Sequence, residues 1–156
     1  MPGYDSPLSP SDEGNLRWNL PPQSILGIAN VAIAAAEAVR RAASDGAAPG
    51  YERVCGPIDP SLDDDDPLTR LERQVLVEDR CRVVTESAGA PELTLDQAEA
   101  WLSVLTTFTG LLAQTHGIVD DETREQAEAQ DPEFAAGLNI TQVLQQILVD
   151  GLDQLN

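Results

Sequence analysis

Apolar positions recur every three or four residues along four stretches of this chain, and each stretch carries helix punctuation at one end or both. Residues 95–116 are the most regular. Trp101, Leu105, Phe108 and Leu112 follow a 4-3-4 spacing, widened by Leu102, Val104 and Leu111. Thr94 and Gln97 stand in capping-box register, Asp96 and Glu99 place negative charge in the first turns, and Gly117 closes the helix behind His116. Opposite the stripe run Ser103, Thr107, Gly110 and Gln114, uncharged and mostly small. A helix with these two faces is packed all round, which predicts the centre of a bundle.

Three further helices are expected, near 22–45, 67–88 and 139–154. Pro21 and Pro22 open the first, where a missing N–H costs nothing, and Ile25, Ile28, Ala29, Ala32 and Ala36 recur along it. Gly27 and the alanines would let another helix approach closely, and Arg40, Arg41 and Gly46 mark the end. Asp66 and Pro67 make a good start for the second. Its stripe shifts from Leu68, Leu71 and Val75 to Val77, Cys81 and Val84, so a kink or break is expected near 75–77. The last carries Ile140, Val143, Leu144, Ile147, Leu148, Leu152 and Leu155, with Asn139 or Thr141 as the cap and Gly151 weakening its end. Leu138, Leu148, Leu152 and Leu155 could extend the core or face a second copy.

The remaining segments read as polar or irregular. Residues 119–134 predict a short exposed helix ending before Pro132, and 46–66 a long loop rich in Gly, Pro and Asp. Leu16, Trp18 and Leu20 alternate with polar neighbours, as a short strand or an extended lead-in would. Residues 1–14 lack periodicity and read as a disordered arm. The expected architecture is therefore all-α: one domain over 15–156, a compact bundle of about four to five helices around the central 95–116 helix, with a short N-terminal strand in prospect.

Charge narrows the partners. The 156 residues include 27 Asp and Glu against nine basic residues, all of them Arg, for a formal net charge of −18. Such a surface repels phosphate backbones, so direct nucleic-acid binding is not expected, whereas a basic protein surface suits it. The same acidity also serves solubility alone. The uncharged run from Ala100 to Thr115 is sixteen residues and includes Ser103, Thr106, Thr107, Thr109 and Gln114, short of the roughly 20 apolar residues of a membrane span. The opening residues have neither a basic start nor an apolar run, and a cytoplasmic location is the expectation.

The search for chemistry returns little. Cys55 and Cys81 are the only thiols. Cys81 lies on an apolar stripe and reads as a buried small hydrophobe. Cys55 falls in the loop two residues after Arg53, where exposure and a nearby positive charge would favour thiolate. A reversible link between the two is a further reading. The four consecutive Asp at 63–66 lack the alternating spacing and turn glycine of a calcium loop and read as a solvated run. His116, the only imidazole, has no second His or paired thiol nearby. It reads as a helix C-terminal cap, with Asp120 and Asp121 the nearest partners for any base role. No phosphate loop, dinucleotide fingerprint or nucleophile elbow is present. No catalytic residues, metal or cofactor are assigned, and the chain is expected not to be an enzyme.

The stretch "LTLDQAEAWLSVLTTFTGLLAQTHGI" (93–118) resembles the signature helix of a small actinobacterial family, the AosR-like oxidative-stress-responsive transcriptional regulators. The matching residues are Asp96, Ala98, Glu99, Ala100, Trp101 and Leu102, then Leu111, Leu112, Gly117 and Ile118. "NLRWNLPPQSILGIANVAIAAAEAV", "DPLTRL" and "ITQVLQQILVDGLDQL" follow the family's other elements in order, so the likeness covers about residues 15–155. It implies a non-enzymatic regulator acting through protein contacts, with a thiol pair as sensor and a sigma factor as partner. The chain departs from the family's pattern in having no closely spaced cysteine pair before Cys55 and no Arg within 103–110. Three other readings stand beside this one: an acidic mimic of nucleic acid that occupies a DNA-binding protein, a structural interaction domain with no redox role, and a metal- or thiol-dependent enzyme should His116, Cys55 and Cys81 converge.

Overall fold

A computed structural model describes residues 6–45, 50–55 and 67–155. Helices dominate these residues, as the periodicity predicts. The elements in chain order are β1 (Leu8–Pro10), β2 (Leu16–Trp18), α1 (Pro22–Ser44), α2 (Tyr51–Cys55), α3 (Pro67–Ser87), β3 (Glu92–Leu93), α4 (Leu95–Thr115), α5 (Asp121–Gln130) and α6 (Pro132–Leu155). The fold is a helical bundle with a small sheet at its N-terminal end.

Helix α4 is the axis. Thr94 Oγ1 accepts from the Gln97 amide at 3.2 Å, and the Gln97 side chain accepts from the Thr94 amide at 2.9 Å, completing the capping box. At the other end Gly117 adopts φ +66°, a conformation that other residues rarely take. Between these stops α4 packs against α1, α3 and α6. Ala98, Ala100, Trp101, Val104 and Leu105 are buried, while Phe108, Leu111 and Leu112 are half-buried towards the C-terminal end.

Trp101 anchors the interior. Its indole lies 6.0 Å from that of Trp18 at a 48° tilt, and its Nε1–H donates to Ser87 Oγ at 2.7 Å. Ser87 in turn donates to the Val83 carbonyl at 2.6 Å. The one polar atom of the largest buried side chain therefore has its partner, supplied by the last residue of α3.

The N-terminal residues depart from the expected disordered arm. Leu8–Pro10 forms an antiparallel strand with Leu16–Trp18, pairing Leu8 with Trp18 and Pro10 with Leu16, and β3 adds on the other side of β2. Pro10 sits on the edge strand, where its missing N–H breaks no ladder. Leu8, Leu16 and Leu93 all point inward and are fully buried. Leu8 and Leu16 lie over Gly151 of α6, where an added Cβ would come within 3.1 Å of Leu8 Cδ2 and 3.4 Å of Leu16 Cδ1. Gly151, expected only to weaken a helix end, is what admits the sheet.

Other boundaries also move. Helix α3 runs unbroken through 75–77: Val77, Cys81 and Val84 turn inward, and Leu68, Leu71 and Val75 stay exposed on the same helix. The final helix starts at Pro132, so Asn139 and Thr141 are interior positions and not caps. Thr141 is buried and satisfied by donating to the Gly137 carbonyl at 2.8 Å. Asp131 does the capping, its carboxylate accepting from the Phe134 amide at 3.1 Å while its own N–H still bonds Ala127 of α5. Pro132 thus begins a helix as readily as it ends one. The segment read as a loop holds α2, with Cys55 inside the fold. The Asp66 cap, the Gly46 stop and the Asp run at 63–66 lie outside the described residues.

Candidate functional site

The two thiols come first, because they carried the chemical expectation. Cys81 is buried on α3 as expected. Burial pushes its pKa from 9.0 up to about 11, with Arg40 partly opposing and Glu78 reinforcing the shift. Cys55 corrects the sequence reading: it is fully buried, and its Sγ lies 3.8 Å from the Ala43 carbonyl. Arg53 is directed elsewhere, its guanidinium covering Gly110 so closely that a Cβ there would sit 2.6 Å from Nε. The Cys55 carbonyl accepts from Arg73 Nη1 at 3.3 Å, tying α2 to α3. Neither thiol presents the exposed, electropositive setting that makes a cysteine reactive.

Two outcomes follow. Native protein treated with mild peroxide is expected to keep its mass, with Cys55 and Cys81 alkylated only after unfolding; a loss of about two mass units, reversed by reductant, would show a disulfide instead. Cys81 also links stability to alkaline pH. Its folded pKa lies above the unfolded value, so its contribution is complete below about pH 9 and is lost as pH rises towards 11. Urea midpoints of wild type and Cys81→Ala should therefore converge between pH 8 and about 11.

His116 is the C-cap of α4, as expected, with Nδ1 3.0 Å from the Leu112 carbonyl. Its partner is neither Asp120 nor Asp121 but Asp131, whose Oδ2 lies 3.8 Å from Nε2. The ring stacks on Phe134 at 3.7 Å. Phe134, Ala127 and Leu138 form a small second core with Leu112 and Ile118. His116 and Phe134 thereby fasten the end of α4 to the α5–α6 corner. Among the described residues no three His, Cys, Asp or Glu side chains gather as a metal site. The signature residues Ala98, Ala100 and Trp101 are core, Leu102 and Ile118 half-buried, Glu99 and Gly117 exposed.

A set of unfilled cavities lies along α1. Helices α1 and α6 both pack on α4 but make little contact with each other. Between them runs an apolar cavity of about 450 Å³, walled by Gly27, Ile28 and Val31 of α1 and by Ile140, Val143 and Ile147 of α6. A second cavity of about 270 Å³ shares Val31 and Ile140 with it and is floored by Phe108 and Leu112 of α4. A third, of about 850 Å³, shares Phe108 and Leu112 and continues past Ala38 and Arg41 to Asp45. Together they make one furrow along the face of α1 that carries Ser24, Gly27, Val31, Ala34, Ala38 and Arg41, a helical spacing of three and four. At 1.5 Å per residue this face is about 26 Å long. A Cβ on Gly27 would meet nothing within 4 Å, so the close helix approach expected there does not occur among the described residues. Sequence reasoning missed the furrow, although Ile28, Val31, Ile140 and Val143 were visible as more apolar positions than one core face needs.

By length and composition α1 is apolar enough to cross a membrane, with mean hydropathy 1.3, yet here it packs on α3 and α4 as a bundle helix. Comparison of the chain with protein-family models, with curated proteins and with solved structures returns no match.

Proposed function

We propose that this protein is a non-enzymatic regulatory or adaptor protein that recognises a basic partner protein by surface contact. The observation that carries the reading is the furrow: a long apolar channel with half-exposed Ile140 and Val143, in a chain of net charge −18. An apolar strip flanked by acidic surface suits a partner that supplies both apolar side chains and positive charge. The buried, unreactive setting of Cys55 and Cys81 favours control by contact over control by thiol oxidation. A sigma factor, the partner that the sequence resemblance implies, is one protein of the required kind.

Affinity capture with purified protein at low and high ionic strength tests the reading. One basic protein should be retained at low salt, released at high salt, and rebind when both components are purified. Retention of nothing, or of an acidic protein unaffected by salt, would overturn it.

A further inference from the structure

We propose that the α1–α6 furrow is the docking groove for a single amphipathic helix of the partner, one whose apolar stripe is flanked by Lys or Arg. This inference rests on the adaptor reading and names the site and the kind of segment that fills it.

Three observations converge. The first is shape. Two helices that lean on a third with little contact between them leave a vacant helix position, and the α6 side of the groove, from Glu133 to Ile147, is about 20 Å long, roughly 14 residues of helix. Groove-binding helices place anchors at i, i+3 or i+4 and i+7, the spacing at which Ile140, Val143 and Ile147 are presented. The second is the lining. Among the described residues lining the two cavities between α1 and α6 the only ionisable side chain is Glu133, and Gly27 leaves open space for an incoming side chain. The third is charge. Glu133 lines one end of the α6 side, Asp150 follows one turn beyond Ile147 at the other, α6 has no basic residue, and α1 carries no ionisable residue from Pro22 to Ala36.

The sign of that charge selects the occupant. A second copy would bring another −18 against a chain of the same charge, and an anionic lipid surface would be repelled in the same way. A basic amphipathic helix meets the apolar lining with its stripe and the carboxylates with its flanks.

The test uses the full chain, with an 18-residue Leu/Lys amphipathic helix as probe and a Leu/Glu peptide of the same apolar pattern as control. Methyl NMR should show the Leu/Lys peptide shifting Ile28, Val31, Ile140, Val143 and Ile147, with no binding by the Leu/Glu peptide. The double variant I140E/V143E, at two half-exposed positions, should weaken the Leu/Lys peptide at least tenfold. Gly27→Leu, whose Cβ would enter open space on the groove side, should do the same should the double variant fail to fold. Leu71→Glu on the exposed face of α3 should leave affinity unchanged.

Several results would overturn the proposal. One is Leu/Lys binding that moves methyls outside the furrow or ignores both groove variants. Another is a dimer in sedimentation that I140E/V143E dissociates, which would make a second copy the occupant. A third is partition onto phosphatidylcholine vesicles through the same residues, which would make it a lipid site. A captured basic partner whose binding is unaffected by the groove variants would leave the adaptor reading standing and remove this inference alone.

Discussion

Replacing Trp101 with Ala should destabilise the fold by about 3–5 kcal/mol, the range for removing a large buried aromatic. The indole is 1% exposed and lies against Trp18, so its loss opens a cavity where α3, α4 and the small sheet meet. A companion variant separates packing from polarity. Ser87→Ala keeps the indole but removes the acceptor for its N–H, at an expected cost of about 1–3 kcal/mol. Trp101→Phe removes the N–H as well, so Ser87→Ala should cost less on that background than on wild type. Urea unfolding followed by circular dichroism measures all four proteins. Equal effects of Ser87→Ala on both backgrounds would show that the 2.7 Å bond contributes nothing.

Leu8→Ala should cost about 2–5 kcal/mol, an effect impossible for a residue in a disordered arm. Leu8 is fully buried and packs on Gly151 near the opposite end of the chain. The reverse side of that contact gives the second arm of the prediction. Gly151→Val forces at least one methyl towards Leu8 and Leu16 and should cost about 1–3 kcal/mol by overpacking. Gly151→Ala should be milder, because the 3.1 Å contact is with the end of a leucine side chain that can shift slightly. In the Leu8→Ala background the Val substitution should become less harmful, since the truncated side chain leaves it room. Midpoints that ignore Leu8 would place the N-terminal strand outside the cooperative unit.

Both predictions bear on how the chain encodes its fold. Helix α4 was legible down to its caps: Thr94, Gln97 and Gly117 act within one turn of themselves, and the Trp101 stripe reports its own period. Helix α5 was equally local, with Asp120 capping through Thr123 at 2.8 Å. The end of α5 before Pro132 was read correctly, but the start of α6 there was missed, because the same residue type ends one helix and begins another. Only Asp131, bonded in both directions, decides between them. The predicted break in α3 had a different origin. Two stripes were visible, and nothing local says that the first, Leu68, Leu71 and Val75, stays exposed while the helix continues.

The candidate site was less legible than the fold. Cys55 was expected to be exposed because Gly and Pro surround it. Its burial depends on α2 lying against α1 and α3, a contact between segments that the local sequence does not describe. His116 was read correctly as a cap, yet its carboxylate partner is Asp131 because the α5–α6 corner folds back over the end of α4. The furrow combines residues of α1, α4 and α6, and each of its walls reads alone as an ordinary apolar face.

By itself the sequence determined the helical class, the central helix with its caps and the acidic charge, because these follow from spacing, short-range hydrogen bonding and composition. Tertiary structure alone decided that Leu8 lies over Gly151, that Cys55 is enclosed and that α1 and α6 stand apart over α4. Each of these depends on which apolar face finds a partner elsewhere in the chain, and burial is a property of the pair that no single stretch of sequence carries.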